Sequence, residues 1–141
     1  MSEKTGPRIF DAFPFLVLAK KQTGWEQVRA HLQSAAREGF QHSISLINLG
    51  EVYYMLHREH GDRMAMQTVE EIRAAPIEIV IPSFDQMLQA ARFKASGGIS
   101  YADCFAAALS LERGTPVLTG DPEFSLVERQ GVQIDWLPRN R

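Results

Sequence analysis

The stretch ISYADCFAAALSLERGTPVLTGDPEF, residues 99–124, combines an apolar helix with two acidic residues. Residues 101–112 predict a helix with small or apolar side chains on nearly every face, and such a helix is normally buried. Asp103 lies in its first turn, although a buried carboxylate needs a partner. A second acid, Asp121, follows a short apolar run and a glycine. The stretch therefore raises two questions: what stabilises these carboxylates, and whether they belong to one site.

The whole chain has the composition of one globular domain spanning residues 1–141. It is 45% hydrophobic and 23% charged, which is enough for a core of its own. The longest apolar run, residues 12–19, is too short to cross a membrane. The formal net charge of −2 gives no support for nucleic-acid binding, so any RNA contact must use local basic groups. The lone Cys104 and the lack of a secretory pattern in residues 1–10 predict a reducing, cytoplasmic setting.

Short strands alternate with helices along the chain. The predicted strands cover residues 8–10, 42–47, 77–81, 116–119 and 132–137. The predicted helices are one that contains Pro14 and runs to Lys20, then residues 25–37, 48–60 and 63–74, a helix capped by Ser83 and Gln86, residues 101–112, and a short helix from Pro122. This alternation predicts a three-layer α/β/α sandwich around a mostly parallel sheet.

Four acidic residues stand at equivalent places in this pattern. Asp11 and Asp121 follow the first and fourth strands, whereas Glu51 and Asp103 lie in the first turns of helices. In an open parallel sheet such positions lie at the carboxyl edge, where ligand crevices form. Carboxylates gathered there would repel one another and resist ionisation, and a divalent cation reverses that balance. Hard oxygen ligands suit Mg²⁺ or Mn²⁺, which points to metal-assisted phosphodiester chemistry.

Each acid also has an explanation that needs no metal. The spacing of a helix capping box occurs twice, in Ser100–Asp103 and in Asn48–Glu51. Asp121 precedes a proline and suits an N-cap, and Asp11 could cap the first helix. For any single acid, capping explains the pattern at least as well as metal binding does. Strand alternation does not fix the order of the strands, so both explanations stay open at this point.

The order and context of the acids resemble a PIN domain, the nuclease fold found in VapC-type toxins. The matching segments span nearly the whole chain in the family's order: RIFDAFPFLVLAKK (8–21), SLINLGEVYYML (45–56), ISYADCFAAALS (99–110) and PVLTGDPEF (116–124). The last two are the most specific, because the spacing from Asp103 to the TGD motif is typical of the family. The resemblance implies that the first strand lies between the second and fourth, which would bring the four acids together.

Carried over by position, the resemblance implies that Asp11, Glu51 and Asp103 are the principal ligands of Mg²⁺ or Mn²⁺ and that Asp121 completes the quartet. Thr119 matches a hydroxyl residue commonly found near that site. One departure concerns the first acid. Many relatives carry Ser, Thr or Asn within two residues of it, whereas an Ala-Phe pair follows here. A missing polar contact at that point could alter metal affinity.

The resemblance implies a metal-dependent endoribonuclease that is the toxin of a type II toxin–antitoxin pair. It further implies a homodimer and a small antitoxin protein that blocks the cleft. Basic residues near the cleft must hold the RNA backbone, because the acids repel it. The candidates for this contact are Lys94, Arg92, Lys20 and Lys21.

Other functions compete with this prediction. They are a housekeeping nuclease of the same fold, a non-catalytic α/β binding module whose acids are helix caps, and a phosphotransfer or phosphatase domain of the haloacid dehalogenase or receiver type. The haloacid dehalogenase form of the last needs a D-x-D pair, and Asp11 is followed instead by Ala12 and Phe13. The receiver form needs an aspartate after the third strand, where the chain has residues 81–83, Ile-Pro-Ser.

Overall fold

Strands and helices alternate in the computed structural model, which describes residues 6–138. The strands in that range are β1 (Ile9–Phe10), β2 (His42–Ser45), β3 (Ile77–Val80), β4 (Val117–Thr119) and β5 (Ile134–Trp136). The helices are α1 (Ala12–Lys20), α2 (Trp25–Glu38), α3 (Leu46–His60), α4 (Asp62–Ala74), α5 (Phe84–Ala95), α6 (Tyr101–Arg113) and α7 (Phe124–Glu128). None of these helices has the length and hydropathy to span a bilayer.

The strands form one sheet in the order β3-β2-β1-β4-β5. Each pairing between them is parallel, and Ile9 of β1 is registered with Ser43 of β2 and with Val117 of β4. β1 therefore lies between β2 and β4, the neighbours implied by the resemblance. A receiver-type sheet would place β1 beside β3, so that alternative is wrong. The prediction of a mostly parallel α/β sheet is confirmed.

Side chains of β1 and β4 alternate between the two faces of the sheet, and each face has its own core. Ile9 and Val117 pack in the cluster built with α5, α6 and α7. Phe10 and Leu118 pack in the cluster built with α1 to α4. None of these four side chains is more than 1% exposed. Helices thus cover both faces, which confirms the predicted sandwich.

The apolar helix of the opening stretch, α6, lies in the core as predicted. Its residues from Asp103 to Ser110 are all buried. Ser100 caps its N-terminus, where the Ser100 Oγ accepts the backbone N–H of Asp103 at 3.2 Å. Gly114 ends the helix in the left-handed region, with φ of 62°. Because α6 precedes the parallel strand β4, its capped N-terminus lies at the carboxyl edge of the sheet.

Helix α3 begins earlier than predicted. β2 ends at Ser45 and α3 starts at Leu46, whereas the predicted strand continued to Ile47 and the predicted helix began at Asn48. Ser45 is the N-cap, and its Oγ accepts the backbone N–H of Ile47 at 3.3 Å. Leu46 and Ile47 suit a strand as well as a helix, so their hydrophobicity does not locate the boundary. Glu51 consequently lies in the second turn, and the predicted Asn48–Glu51 capping box is wrong.

The buried imidazole of His42 joins β2 to β1 and α2. Its Nδ1 accepts the backbone N–H of Arg8 at 3.0 Å, and its Nε2 lies 2.8 Å from the carbonyl oxygen of His31. A neutral ring with its proton on Nε2 satisfies both contacts, whereas a proton on Nδ1 would face another donor. Burial, with smaller effects from the charges of His31 and Arg8, lowers the pKa of His42 to about 4.

We expect the His42 imidazole to stay neutral on acidification and to titrate close to pH 4. Its pKa is lower in the folded than in the unfolded chain, where it is about 6.5. Its contribution to the free energy of unfolding is therefore complete above that value and is lost as the pH falls through 4. NMR titration of the ring C–H signals measures this directly. An inflection at the value of a free histidine would contradict the buried hydrogen bonds.

Candidate metal centre

Four acidic side chains converge at the carboxyl edge of the sheet. Asp11 directly follows β1, and Asp121 lies just beyond β4. Asp103 lies in the first turn of α6, and Glu51 lies in the second turn of α3, the helix that follows β2. Because β1 is the neighbour of both β2 and β4, these four chain segments meet at one place.

Three of the acids form a compact group. One carboxylate oxygen from each of Asp11, Asp103 and Asp121 lies within 4.8 Å of the other two. Glu51 is outside this group, but its charge contributes to raising the pKa of both Asp11 and Asp103. The arrangement is therefore a group of three aspartates with a glutamate beside it.

Burial and mutual repulsion oppose ionisation of this cluster. Asp11 is 1% exposed and Asp103 is 4% exposed. Burial, followed by the charges of Asp11 and Asp121, raises the pKa of Asp103 to about 9. Burial also raises the pKa of Asp11 well above its usual range, with Asp121 and Glu51 adding to the effect. Without a cation, Asp103 consequently retains its proton at neutral pH.

Helix capping does not explain most of these carboxylates. Asp11 occupies the N-cap position of α1, but its side chain makes no capping hydrogen bond. The N–H of Ser100, which a capping box would direct to Asp103, donates to the Glu123 carboxylate at 2.9 Å. The glutamate of α3 lies past the first turn. Only the Asp121 side chain stabilises its own turn, because its Oδ1 accepts the N–H of Glu123 at 3.0 Å.

Two carboxylate oxygens of the cluster lack a hydrogen-bond donor. Asp11 Oδ1 and Glu51 Oε1 are buried, and neither has a partner among residues 6–138. Buried polar atoms without partners are uncommon, because nothing offsets the loss of their hydration. Unpaired hard oxygens beside a group of three aspartates fit the ligand preference of Mg²⁺ or Mn²⁺.

Thr119 supports both Asp11 and Asp121. Its buried hydroxyl donates to Asp11 Oδ2 at 2.9 Å and accepts the backbone N–H of Asp121 at 3.1 Å. The first contact fixes the Asp11 carboxylate so that the other oxygen, Oδ1, remains unpaired. It also supplies the polar neighbour that the Ala-Phe pair after Asp11 cannot provide.

Lys94 and Lys20, two of the basic residues predicted to contact RNA, have partners within the protein. The Lys94 ammonium group donates to the carbonyl oxygen of Ile99 at 2.9 Å, which attaches the end of α5 to the segment before α6. Lys20 pairs with Glu59 at 3.2 Å. A role for these cations in holding RNA stays a prediction.

Two further polar residues of the cluster were missed in the sequence. Asn48, assigned there to a cap, is buried, and its Nδ2 donates to the carbonyl oxygen of Ala102 at 3.0 Å, which joins α3 to α6. A hydrogen bond from Asn48 also lowers the pKa of Glu51, although burial outweighs it and the net shift is upward. Glu123 adds a fifth carboxylate next to the cluster. The signals for them were an asparagine one helical turn before Glu51 and a second acid in TGDPEF.

Solved structures share this fold at low sequence identity. One is VapBC2 from Rickettsia felis, which was solved bound to a DNA fragment from its promoter. It matches with a TM-score of 0.73 and 14% sequence identity, and the match covers 94% of this chain and 100% of that chain. Mycobacterium tuberculosis VapC20, described as a sarcin-ricin loop cleaving toxin, matches with a TM-score of 0.67 and 14% identity over 86% and 93% of the two chains. DNA-bound VapBC from Salmonella typhimurium matches with a TM-score of 0.67 and 17% sequence identity, and the match covers 92% of this chain and 96% of that chain.

These likenesses establish the fold, and a sequence comparison establishes the family. No curated protein matches the chain significantly. The sequence model of the PIN domain family, however, matches residues 11–130, which is most of the chain and includes all four acids. The predicted resemblance is confirmed, and the chain belongs to the PIN domain family.

Proposed function

We propose that this protein is a metal-dependent endoribonuclease that hydrolyses RNA phosphodiester bonds as the toxin of a type II toxin–antitoxin pair. The observation that carries the proposal is the group of three aspartates with oxygens within 4.8 Å, beside two buried carboxylate oxygens for which the described part of the chain offers no donor. RNA as substrate is supported by membership of the PIN family and by the shared fold with VapC20, which is described as a sarcin-ricin loop cleaving toxin. An antitoxin partner is supported by the shared fold with VapBC proteins.

Asp11, Asp103 and Asp121 would hold the Mg²⁺ or Mn²⁺ ion, with Glu51 beside them. A bound divalent cation lowers the pKa of water and neutralises charge on the phosphate. The protein contributes the arrangement of the oxygens: Thr119 fixes Asp11 through Oδ2 and leaves Oδ1 free. Burial of Asp11 and Asp103 excludes bulk water, which strengthens the attraction between carboxylate and cation.

A homodimer and a cytoplasmic location complete the proposal. Ile81 and Phe84 follow the edge strand β3 and are 76% and 63% exposed. Large apolar side chains exposed so close together suit contact with another chain. The cytoplasm is where an RNA-cleaving toxin meets its substrate, and the free thiol of Cys104 is compatible with a reducing setting.

We expect the purified protein to cleave RNA with Mn²⁺ or Mg²⁺, to stop in EDTA, and to recover when the metal is restored. Asp11→Asn should lose cleavage because it removes a charged oxygen from the cluster. Asp85→Asn is the matched control, since Asp85 is an exposed acid in the first turn of α5. Cleavage that survives both chelator and Asp11→Asn would reject the mechanism.

A toxin differs from a housekeeping nuclease in having a dedicated antitoxin that binds it and inhibits cleavage. A short reading frame directly upstream of the gene should encode a protein that binds this chain and stops its cleavage. A housekeeping nuclease of the same fold would cleave RNA without such an inhibitor. Co-purification of the two products, followed by the cleavage assay with and without the small protein, distinguishes these outcomes.

A further inference from the structure

Glu123 connects the turn after β4 to the N-terminus of α6. Its carboxylate oxygen Oε1 accepts the backbone N–H of Ser100 at 2.9 Å. Its own backbone N–H donates to Oδ1 of Asp121 at 3.0 Å. One residue therefore contacts both segments that carry aspartates of the cluster, one through its side chain and the other through its backbone.

These contacts belong to a continuous series of hydrogen bonds. On one side of Glu123, the Oγ of Ser100 accepts the N–H of Asp103 at 3.2 Å. On the other side, the N–H of Asp121 donates to the Thr119 hydroxyl, which donates to Asp11. The series runs in the order Asp11, Thr119, Asp121, Glu123, Ser100, Asp103, so it includes all three aspartates of the compact group.

The contact between Glu123 and Ser100 joins segments 23 positions apart in the sequence. The contacts on either side of it in the series, from Glu123 to Asp121 and from Asp103 to Ser100, are local ones over two and three positions. The segment that leads into α6 contains Gly97 and Gly98, with φ of 82° and 81°. Glycines have large conformational freedom, so this entry to α6 benefits from an external anchor. The Glu123 carboxylate supplies one such anchor at Ser100, next to the contact of Lys94 with the carbonyl oxygen of Ile99.

We propose that Glu123 is a positioning residue for the acidic cluster. It acts as the hydrogen-bond acceptor of Ser100, and this contact sets the distance of Asp103 from Asp121 and Asp11. Its Oε1 is occupied by a backbone donor, and Glu123 is not one of the three acids whose oxygens lie within 4.8 Å of one another. The inference rests on the proposed function, in that it takes the three aspartates to be a divalent-cation site.

The role as an acceptor separates two substitutions of the same residue. Glu123→Gln keeps an oxygen that can accept the Ser100 N–H and removes only the charge. Glu123→Ala removes the acceptor as well. Outer contacts of this kind are typically worth about 10–100-fold in metal affinity or activity. We therefore expect Glu123→Ala to bind Mn²⁺ about 10–100-fold more weakly and Glu123→Gln to bind it with nearly wild-type affinity.

The experiment titrates the purified full-length chain with Mn²⁺ and follows free Mn²⁺ by EPR, without RNA. Glu128→Ala is the control, because Glu128 ends the short helix α7 that directly follows Glu123, and its carboxylate accepts the Trp136 indole N–H instead. Cleavage assays on the same variants should show a lower kcat for Glu123→Ala with an unchanged KM for RNA. Circular dichroism verifies that each variant is folded.

Wild-type Mn²⁺ affinity in Glu123→Ala would overturn the proposal. So would equal losses in Glu123→Gln and Glu123→Ala, because they would assign the effect to the charge. If the alanine variant does not fold, Glu123→Asp replaces it, because the shorter side chain retains the charge but does not reach the Ser100 N–H. Unchanged Mn²⁺ affinity in Glu123→Asp would also overturn the proposal. If the wild-type chain binds Mn²⁺ but does not cleave RNA, the proposed function is refuted, and the Mn²⁺ affinities of the variants still test the role of Glu123. If the wild-type chain does not bind Mn²⁺ at all, the proposed function and the role of Glu123 are both overturned.

Discussion

Asp103→Asn should lower RNA cleavage by more than the ~10–100-fold that is typical of residues outside the ligand set, and should stabilise the metal-free protein at pH 8. Activity falls because an amide offers a dication no charged oxygen. Stability rises because the carboxyl group is buried and its pKa is raised to about 9. When a group has a higher pKa in the folded than in the unfolded chain, its contribution to stability is complete at pH values below the unfolded pKa, which is about 3.9 for aspartate. That contribution is lost as the pH rises through about 9, and an amide has no such loss.

The asparagine also preserves local contacts. Protonated Asp103 can donate a hydrogen bond to Asp121, and an amide N–H at the same position can do likewise. Urea unfolding in EDTA at pH 8 measures the stability change, and the RNA assay with Mn²⁺ measures the activity. Asp85→Asn should leave both unchanged. An Asp103→Asn variant that cleaves RNA normally, or that is less stable than wild type in EDTA, would contradict the assigned electrostatics.

Local sequence signals predicted most helices and strands, because at these places they coincide with burial or with a cap. The Ala-rich helix was expected over residues 101–112 and is observed as Tyr101–Arg113. Ser83 caps α5 as expected, since its Oγ accepts the backbone N–H of Gln86 at 3.0 Å. The start of α3 was wrong because Leu46 and Ile47 carry no signal that separates a strand end from a first helical turn.

The candidate site depends on information that spacing does not contain. The acids converge because β1 lies between β2 and β4, and strand alternation permits other orders. The family resemblance supplied that order, whereas apolar patterning could not. The contact from Ser100 to Glu123 was missed for a related reason. A capping box predicts an acceptor three positions away, at Asp103, but the acceptor lies 23 positions away and is brought there by the fold.

Mn²⁺ should raise the melting temperature of the wild-type protein, and by more at pH 8 than at pH 6. A ligand at 100 times its dissociation constant stabilises the folded state by about 2.7 kcal/mol, or about 10 °C for a domain of this size. Burial and mutual repulsion raise the pKa of Asp11 and Asp103, and that of Asp103 reaches about 9, so Asp103 retains its proton at neutral pH. A cation must displace this proton, and metal binding that releases protons strengthens as the pH rises.

Thermal unfolding with Mn²⁺ and with EDTA at the two pH values measures both effects. Asp85→Asn should show the full shift, whereas Asp103→Asn should show little or none. Equal shifts at pH 6 and pH 8 would mean that the aspartates are already ionised without metal, contrary to their burial. A full shift in Asp103→Asn would locate the cation elsewhere. The protons that stabilise the metal-free fold are the same ones that a cation must displace, so the variant that is more stable without metal should also be the one that metal no longer stabilises.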